Sequence, residues 1–297
     1  MEQPIANWVN EGTSDRVSIK QRIHIILEAI AYDDDLSQVM VLKGGILMSM
    51  KFGNDRHTKD VDFSFLEDFS KISDDPDSFI EEIRNSLNDA LKVSCTTLSQ
   101  YGLIAKVQKI DKKPQKDFEL KTFPALQIKI GFAEKSNSRQ VRKLEESSAS
   151  DTISIDYSLN EYTAETSQID INLEDDTTIH AYSLVEMVAE KYRSCLEQKV
   201  RNRKRYQDIY DLFFLIGKYQ EEITDSLEEI RQILLDKSVG KGLDDLLNAD
   251  AFLDPEIKQR SADGYNDLKY DVKDLPDFEE AYQVVADFYV KIWNGKL

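Results

Sequence analysis

An α+β fold is predicted for this chain on three observations. Residues 60–65, Asp-Val-Asp-Phe-Ser-Phe, alternate strictly between polar and apolar side chains, which is the period of a half-buried strand. Several more strand-like runs follow, up to about residue 172, separated by polar turns. From about residue 181 onward every apolar run has helical period. Strands and helices are thus segregated, which is an α+β pattern. The change in character near residue 180 predicts two domains, an α/β domain over 1–180 and a C-terminal helical domain over 181–297.

Taken in order, SDRVSIKQRIHIILEAIAYD reads as a helix capped by Ser14 or Asp15, with Ile19, Ile23, Ile26 and Ile30 at helical spacing. VMVLKGG is a short apolar run that turns sharply at Gly44, and 45–52 is apolar enough for a buried helix. In the strand that follows, Val61, Phe63 and Phe65 take one face, and Asp60, Asp62 and Ser64 the other. Residues 77–91 are helical in period, after which VSCTTLS, LIAKVQKI, FPALQIKIGF and TISIDYSLNE read as strands of an antiparallel meander. SNSRQVRKLEESSAS is Ser-rich and charged and is expected to be an exposed loop. Beyond QIDINLEDDTTIHAYS, four segments read as helices: SLVEMVAEKYRSCLEQKV, RYQDIYDLFFLIGKY, EEITDSLEEIRQILLDK and DFEEAYQVVADFYVKIW. No internal repeat is visible, so a solenoid or propeller is not expected.

At 297 residues, with 41% hydrophobic and 32% charged side chains, the chain can bury a core without disulfide or metal staples. Its two cysteines, Cys95 and Cys195, stand far apart with no His or Cys beside them, so neither a disulfide framework nor a zinc site is indicated. No leader-like N-terminus and no long uncharged apolar run is present, and a cytoplasmic protein is expected. A net charge of −18 argues against a protein that coats duplex DNA. Even so, seven basic residues crowd between Lys191 and Arg205, enough for a local anion site, although the run Arg201 to Arg205 is more often a solvated interhelix loop than an RNA contact.

The chemistry gathers in residues 41–65. In a strand, residues i and i+2 point the same way, roughly 6.6 Å apart, so Asp60 and Asp62 offer two carboxylates to one side. Magnesium suits such a pair, because it takes oxygen ligands and is usually shared between one or two carboxylates and the phosphates of a nucleotide. An isolated D-x-D is more often the solvated face of an edge strand. Its weight rises because Lys43, Gly44 and Gly45 precede it: a glycine turn lets backbone N–H groups approach phosphate oxygens, and a helix starting there favours anions. A third carboxylate would complete a site able to align an attacking oxygen with phosphorus. Asp156, on the polar face of TISIDYS with Ser154 and Ser158, and Asp170 in QIDIN follow the same local logic.

The blocks Lys43-Gly44-Gly45, Arg56-His57-Thr58-Lys59-Asp60-Val61-Asp62-Phe63, Ile155-Asp156-Tyr157, SLVEMVAEKYRSCLEQ and RYQDIYDLFFL occur in this order. Together, over roughly residues 15–220, they resemble the AbiEii/AbiGii toxin family of nucleotidyltransferase-like proteins. The resemblance implies a minimal nucleotidyltransferase fold of the DNA-polymerase-β superfamily, a mixed sheet with flanking helices, followed by a C-terminal helical domain. It implies metal carboxylates at Asp60, Asp62 and Asp156, which places Asp156 ahead of Asp170, and nucleotide binding by Lys43, Gly44, Gly45, Arg56 and Thr58. It also implies that Glu190-Lys191 and the Asp208 to Asp211 block face the active site, with Lys191 contacting phosphate as a point charge. Asp208 and Asp211, at i and i+3, call for a cation between them, and Lys191 can supply it internally instead. Two positions depart from the family: Gln207 stands where Arg is common, and Ile46 where a hydroxyl is common, a role that Ser49 or Thr58 can take.

The implied activity is Mg2+-dependent transfer of a nucleoside monophosphate from an NTP to an RNA hydroxyl, such as a tRNA 3′ end. The setting is a bacterial toxin–antitoxin or abortive-infection system with a cognate antitoxin. The alternatives are phosphoryl or nucleotidyl transfer to protein, and a non-catalytic nucleotide-binding scaffold.

Overall fold

The computed structural model describes residues 5–164, 168–173 and 177–295. The chain divides into two compact units. The first comprises Met1–Lys51, Thr58–Glu161 and Ile169–Ala181, the second Phe52–His57, Tyr162–Gln168 and Tyr182–Leu297. The helical unit thus takes in two short segments that precede residue 181 in sequence.

The elements of the first unit are α1 (Ile5–Asn10), α2 (Ser14–Tyr32), α3 (Asp34–Val39), β1 (Met40–Lys43), α4 (Gly44–Met50), β2 (Val61–Phe65), α5 (Ser70–Ser73) and α6 (Pro76–Thr97). They continue as β3 (Leu103–Lys113), β4 (Ala125–Glu134), α7 (Ser138–Glu145), β5 (Asp151–Ser158), β6 (Gln168–Asn172) and β7 (Thr178–Tyr182). The seven strands form one mixed sheet in the order β3-β4-β5-β2-β1-β7-β6. β3, β4 and β5 make the expected antiparallel meander, β5 runs parallel to β2, and β2 antiparallel to β1. The apolar face of the sheet buries Val61, Phe63, Phe65, Ile128, Ile130, Ile153, Ile155 and Tyr157. α6 packs on β3 and on α2, whose residues Ile23 to Ile30 are all buried. Each such side chain, fully withdrawn from water, contributes about 1.5–3 kcal/mol. The opposite face of the central strands is polar, and it carries the candidate site.

Three local expectations are corrected. Residues 93–99 were expected as a strand, but 93–97 are the last turn and more of α6. There Leu91 and Cys95 extend the buried stripe that begins at Ile80, and the Ser94 hydroxyl donates to the Ile25 carbonyl at 2.8 Å, so packing on α2 overrides the β-branched composition. The Ser-rich stretch is not wholly loop: α7 forms within it, started by the Asn137 side chain, which accepts from the Gln140 N–H. At the start of α2 the N-cap is Thr13, with Ser14 and Asp15 inside the first turn, where the Asp15 charge favours the helix N-terminus.

The second unit contains α8 (Leu184–Arg201), α9 (Tyr206–Lys218), α10 (Gln220–Asp225), α11 (Leu227–Ser238), α12 (Pro255–Ala262) and α13 (Phe278–Asn294). EEITDSLEEIRQILLDK therefore folds as two helices with a break at Ser226, and α12, not foreseen, starts at Pro255 behind an Asp254 cap. α8 is the central helix, packed by α9, α11 and α12. It is buried nearly all round, so its charged side chains need internal partners, and Glu186 finds Lys237 at 2.8 Å. Tyr192, Phe252, Tyr282 and Tyr289 stack around its apolar side.

Candidate active site

The strand registers bring the predicted carboxylates together. Lys43 on β1 stands opposite Asp62 on β2, Asp62 beside Asp156 on β5, and Asp156 opposite Gln127 on β4. Register partners point to the same face, so these four side chains form one row across the polar face of the sheet. Strands lie about 4.8 Å apart, which puts the Asp62 and Asp156 carboxylates within reach of one bound group. The Gln127 amide donates to Asp156 Oδ1 at 3.3 Å. Asp60 lies just ahead of β2, on the exposed rim of the row. Desolvation first, and then the negative charge of Asp156, raise its pKa, against a smaller opposing effect of Lys59. Asp170 is elsewhere: β6 is the edge strand three places from β2, and there His180 Nδ1 meets Asp170 Oδ1 at 2.6 Å.

Gly44 joins this row for a reason that composition does not disclose. Its φ of +72° suits glycine, and a Cβ built on it would lie 2.0 Å from Asp62 Oδ2. The glycine turn therefore makes room for the carboxylate itself. We expect Gly44→Ala to displace Asp62 and to lower the turnover of the protein by about a hundredfold, since misplacing a reacting group by an ångström has that effect. Steady-state kinetics on the folded variant checks this. Gly45 is buried in the first turn of α4, and Thr58 is half-buried in the segment leading to Asp60. Lys43 is 7% exposed, with its ammonium 3.1 Å from Ser158 Oγ and ion-paired to Glu161.

In the helical unit the other predicted residues form a second cluster. Arg56 clamps Asp211 with two bonds, Nε to Oδ1 and Nη2 to Oδ2, both 3.0 Å. Asn54 donates to Asp211 Oδ1 at 3.1 Å and accepts from the Arg56 N–H at 2.8 Å. Lys191 lies 2.7 Å from both Asp208 Oδ1 and Asp211 Oδ2. Lys191, expected from the resemblance to meet phosphate, is 8% exposed and is shared between these two carboxylates. Burial works against its charge, but Asp208 and Asp211 outweigh it and raise its pKa.

Burial likewise opposes ionisation of Asp211, yet Arg56 and then Lys191 bring its carboxyl from the ordinary 3.8 down to about 2. A depressed carboxyl pKa stabilises the fold at neutral pH, and the contribution is lost as pH falls from about 4 toward 2, roughly 2 kcal/mol in all. Asp211→Asn should therefore be less stable than the parent at pH 7, with a gap that narrows through that window in urea titrations.

Residues 25–284 match the model of the nucleotidyl transferase AbiEii toxin family of type IV toxin–antitoxin systems. The chain belongs to this family. It is thus a nucleotidyltransferase, and membership implies a nucleoside triphosphate substrate and an antitoxin partner. Among solved structures it is similar to JHP933 from Helicobacter pylori, at 15% identity and a TM-score of 0.47 over 95% of this chain and 94% of that one. It is also similar to MenT4, a nucleotidyltransferase toxin from Mycobacterium tuberculosis, at 13% identity and a TM-score of 0.42 over 97% of both chains. Among curated proteins no match is found. Among the described residues of this AbiEii-family chain, no helix is long and apolar enough to cross a membrane.

Nucleotidyltransferases generally use divalent ions, and the donor chemistry here fits one in a particular way. Among the described residues no group of three or more His, Cys, Asp or Glu side chains is disposed to hold a metal. Of the three predicted carboxylates, Asp62 and Asp156 are in register and Asp60 stands just ahead of the paired part of β2. Two carboxylates completed by substrate phosphates and water is nevertheless the usual arrangement for Mg2+.

Sequence reasoning placed Ser158 on the polar face but missed Gln127 and Glu161 beside the row, and Asn54 in the helical cluster. Gln127 had a signal, as a polar residue alternating with Leu126 and Ile128. Glu161 follows its strand in an irregular segment and gave none.

Proposed function

We propose that this AbiEii-family protein transfers a nucleoside monophosphate from an NTP to a hydroxyl at the 3′ end of an RNA, with a tRNA as the first candidate, in the cytoplasm and with Mg2+ as its ion. The observation that carries this reading is the in-register pair Asp62 and Asp156 beside the Gly44 turn. When bound, a divalent ion held by these two carboxylates would supply positive charge to the triphosphate and to the leaving pyrophosphate.

The remaining roles belong to side chains of the protein. The acceptor oxygen forms a bond to the α-phosphorus as the bond from that phosphorus to the pyrophosphate oxygen breaks. The proton of the acceptor hydroxyl passes to the Asp156 carboxylate, which Gln127 orients. Gly44 keeps the Asp62 carboxylate against the turn, and Gly45 and Thr58 remain assigned to phosphate contact. Lys43, engaged by Glu161 and Ser158, fixes the end of β1 beside Asp62. Asp60 on the rim is the outer carboxylate. Arg56, Lys191, Asp208 and Asp211 anchor the 52–57 segment within the helical unit.

Incubation with α-labelled NTPs, Mg2+ and total tRNA is expected to move label into RNA. Label carried from γ-labelled nucleotide, or deposited in protein, would replace this reading with phosphoryl transfer or with a protein acceptor.

A further inference from the structure

The polar face of the sheet continues beyond the carboxylates onto β4 and β3. The register places Lys129 on β4 opposite Lys109 on β3 and next to Ser154 on β5, and Asp111 of β3 opposite Gln127 in the carboxylate row. Lys113 follows Asp111 at i+2 and so shares this face. Lys109, Lys113 and Lys129 are all exposed. Like charges directly opposite each other on paired strands are unfavourable, and the Lys109–Lys129 pair is set against this cost in a chain of net charge −18. One acid offsets them, Asp111, 2.8 Å from a Lys109 side chain that stays 65% exposed, so that pair is weak.

Neighbouring lysines of β3 are differently used. Lys106 donates to the Glu145 carbonyl at 3.1 Å, and Lys112 pairs with Asp77 at 2.9 Å on the core side. The three exposed lysines therefore form a distinct strip. With strands about 4.8 Å apart, it lies about 10–14 Å across the sheet from Asp62, within reach of the last nucleotides of an acceptor strand.

We propose that Lys109, Lys113 and Lys129 form a track for the phosphates of a single-stranded RNA end, laid across the sheet toward Asp62 and Asp156. This rests on the reading of the site as an RNA nucleotidyltransferase. Alternation along β3, β4 and β5 gives this part of the face lysines, small residues, an amide and the acids Asp111 and Asp156, but no aromatic ring. The track thus grips backbone rather than stacked bases, and it tolerates differences in acceptor sequence while remaining strongly salt-dependent.

The test uses the full chain carrying Lys109→Gln, Lys113→Gln and Lys129→Gln together, with the corresponding triple Arg variant as the charge-preserving control. Binding of fluorescent single-stranded RNA is measured without NTP across a series of KCl concentrations, and acceptor and NTP kinetics are measured separately. The Gln triple is expected to bind RNA roughly tenfold more weakly at low salt, with the slope of log affinity against log salt reduced by about 0.7 per lysine, about 2 in all. The acceptor KM rises while the NTP KM holds, and the Arg triple restores both affinity and slope. RNA affinity and slope unchanged in the Gln triple would overturn the track, whether or not the parent transfers nucleotide. A parent that transfers no label to any RNA would instead overturn the proposed reaction, and the binding series would still judge the strip on its own. Label transferred to protein by a chain whose RNA binding ignores the lysines would remove both.

Discussion

Asp62→Asn is expected to lower nucleotidyl transfer by about a thousandfold or more while leaving the fold intact. Asn keeps the volume and the hydrogen-bonding edge of Asp62 but removes the charge, so the contact with the Gly44 turn survives and the attraction for a divalent ion does not. A thousandfold loss corresponds to about 4 kcal/mol of transition-state stabilisation, a reasonable share for a group that positions charge at the reacting phosphate. Asp156→Asn should match it, since the two carboxylates are register partners and the proposed reaction has them serve one group. Because they act as a unit, the double variant should be little worse than either single one. Single-turnover rates with α-labelled NTP, alongside circular dichroism of each variant, check this, and additive losses would mean that the two acids act separately.

Lys191→Met is expected to destabilise the helical unit by about 3–5 kcal/mol. Removing one partner of a buried ion pair leaves the other charge without compensation, which costs far more than the pair contributes in a comparison with apolar isosteres. Here two carboxylates are left, Asp208 and Asp211, each 2.7 Å from the ammonium in the parent. Arg56 still holds Asp211, so the larger share of the loss falls on Asp208, whose Oδ2 is buried with no hydrogen-bond partner. Adding Asp208→Asn to Lys191→Met should therefore recover part of the stability. Urea unfolding followed by far-UV circular dichroism reads the difference, and a loss below about 1 kcal/mol would show that the cluster is hydrated rather than sealed.

Much of this was legible in the sequence where the physics is local. Alternation with period two placed Asp62 and Asp156 on polar faces, and Val61, Phe63, Ile155 and Tyr157 in the core, because side-chain direction in a strand depends on parity alone. The i, i+3 spacing of Asp208 and Asp211 called for a cation, and Lys191 is that cation. Family membership and the segregation of helices from strands were likewise visible in ordered motifs and in period.

What was not legible depends on distant parts of the chain meeting. Which strand lies beside β2 is a matter of sheet topology, so local logic left Asp156 and Asp170 level. The structure then puts Asp156 in the neighbouring strand and Asp170 at the far edge. The glycine at position 44 reads as a turn, but its close approach to Asp62 emerges only once β1 and β2 are paired. Residues 93–97 have strand-like composition and still finish a helix, because α2 supplies an apolar surface and a carbonyl for Ser94. In α7 a single buried residue, Leu144, carries the apolar face, too little to reveal a helix by period.

The proposed reaction requires that Asp62 and Asp156 jointly gather a divalent ion with the triphosphate. A crystal grown with Mn2+ and a non-hydrolysable NTP, with Mn2+ located by its anomalous signal, measures this directly. The expected result is a peak about 2.0–2.2 Å from carboxylate oxygens of both Asp62 and Asp156, with phosphate oxygens completing the shell. A triphosphate bound with its ion elsewhere, touching neither carboxylate, would contradict it.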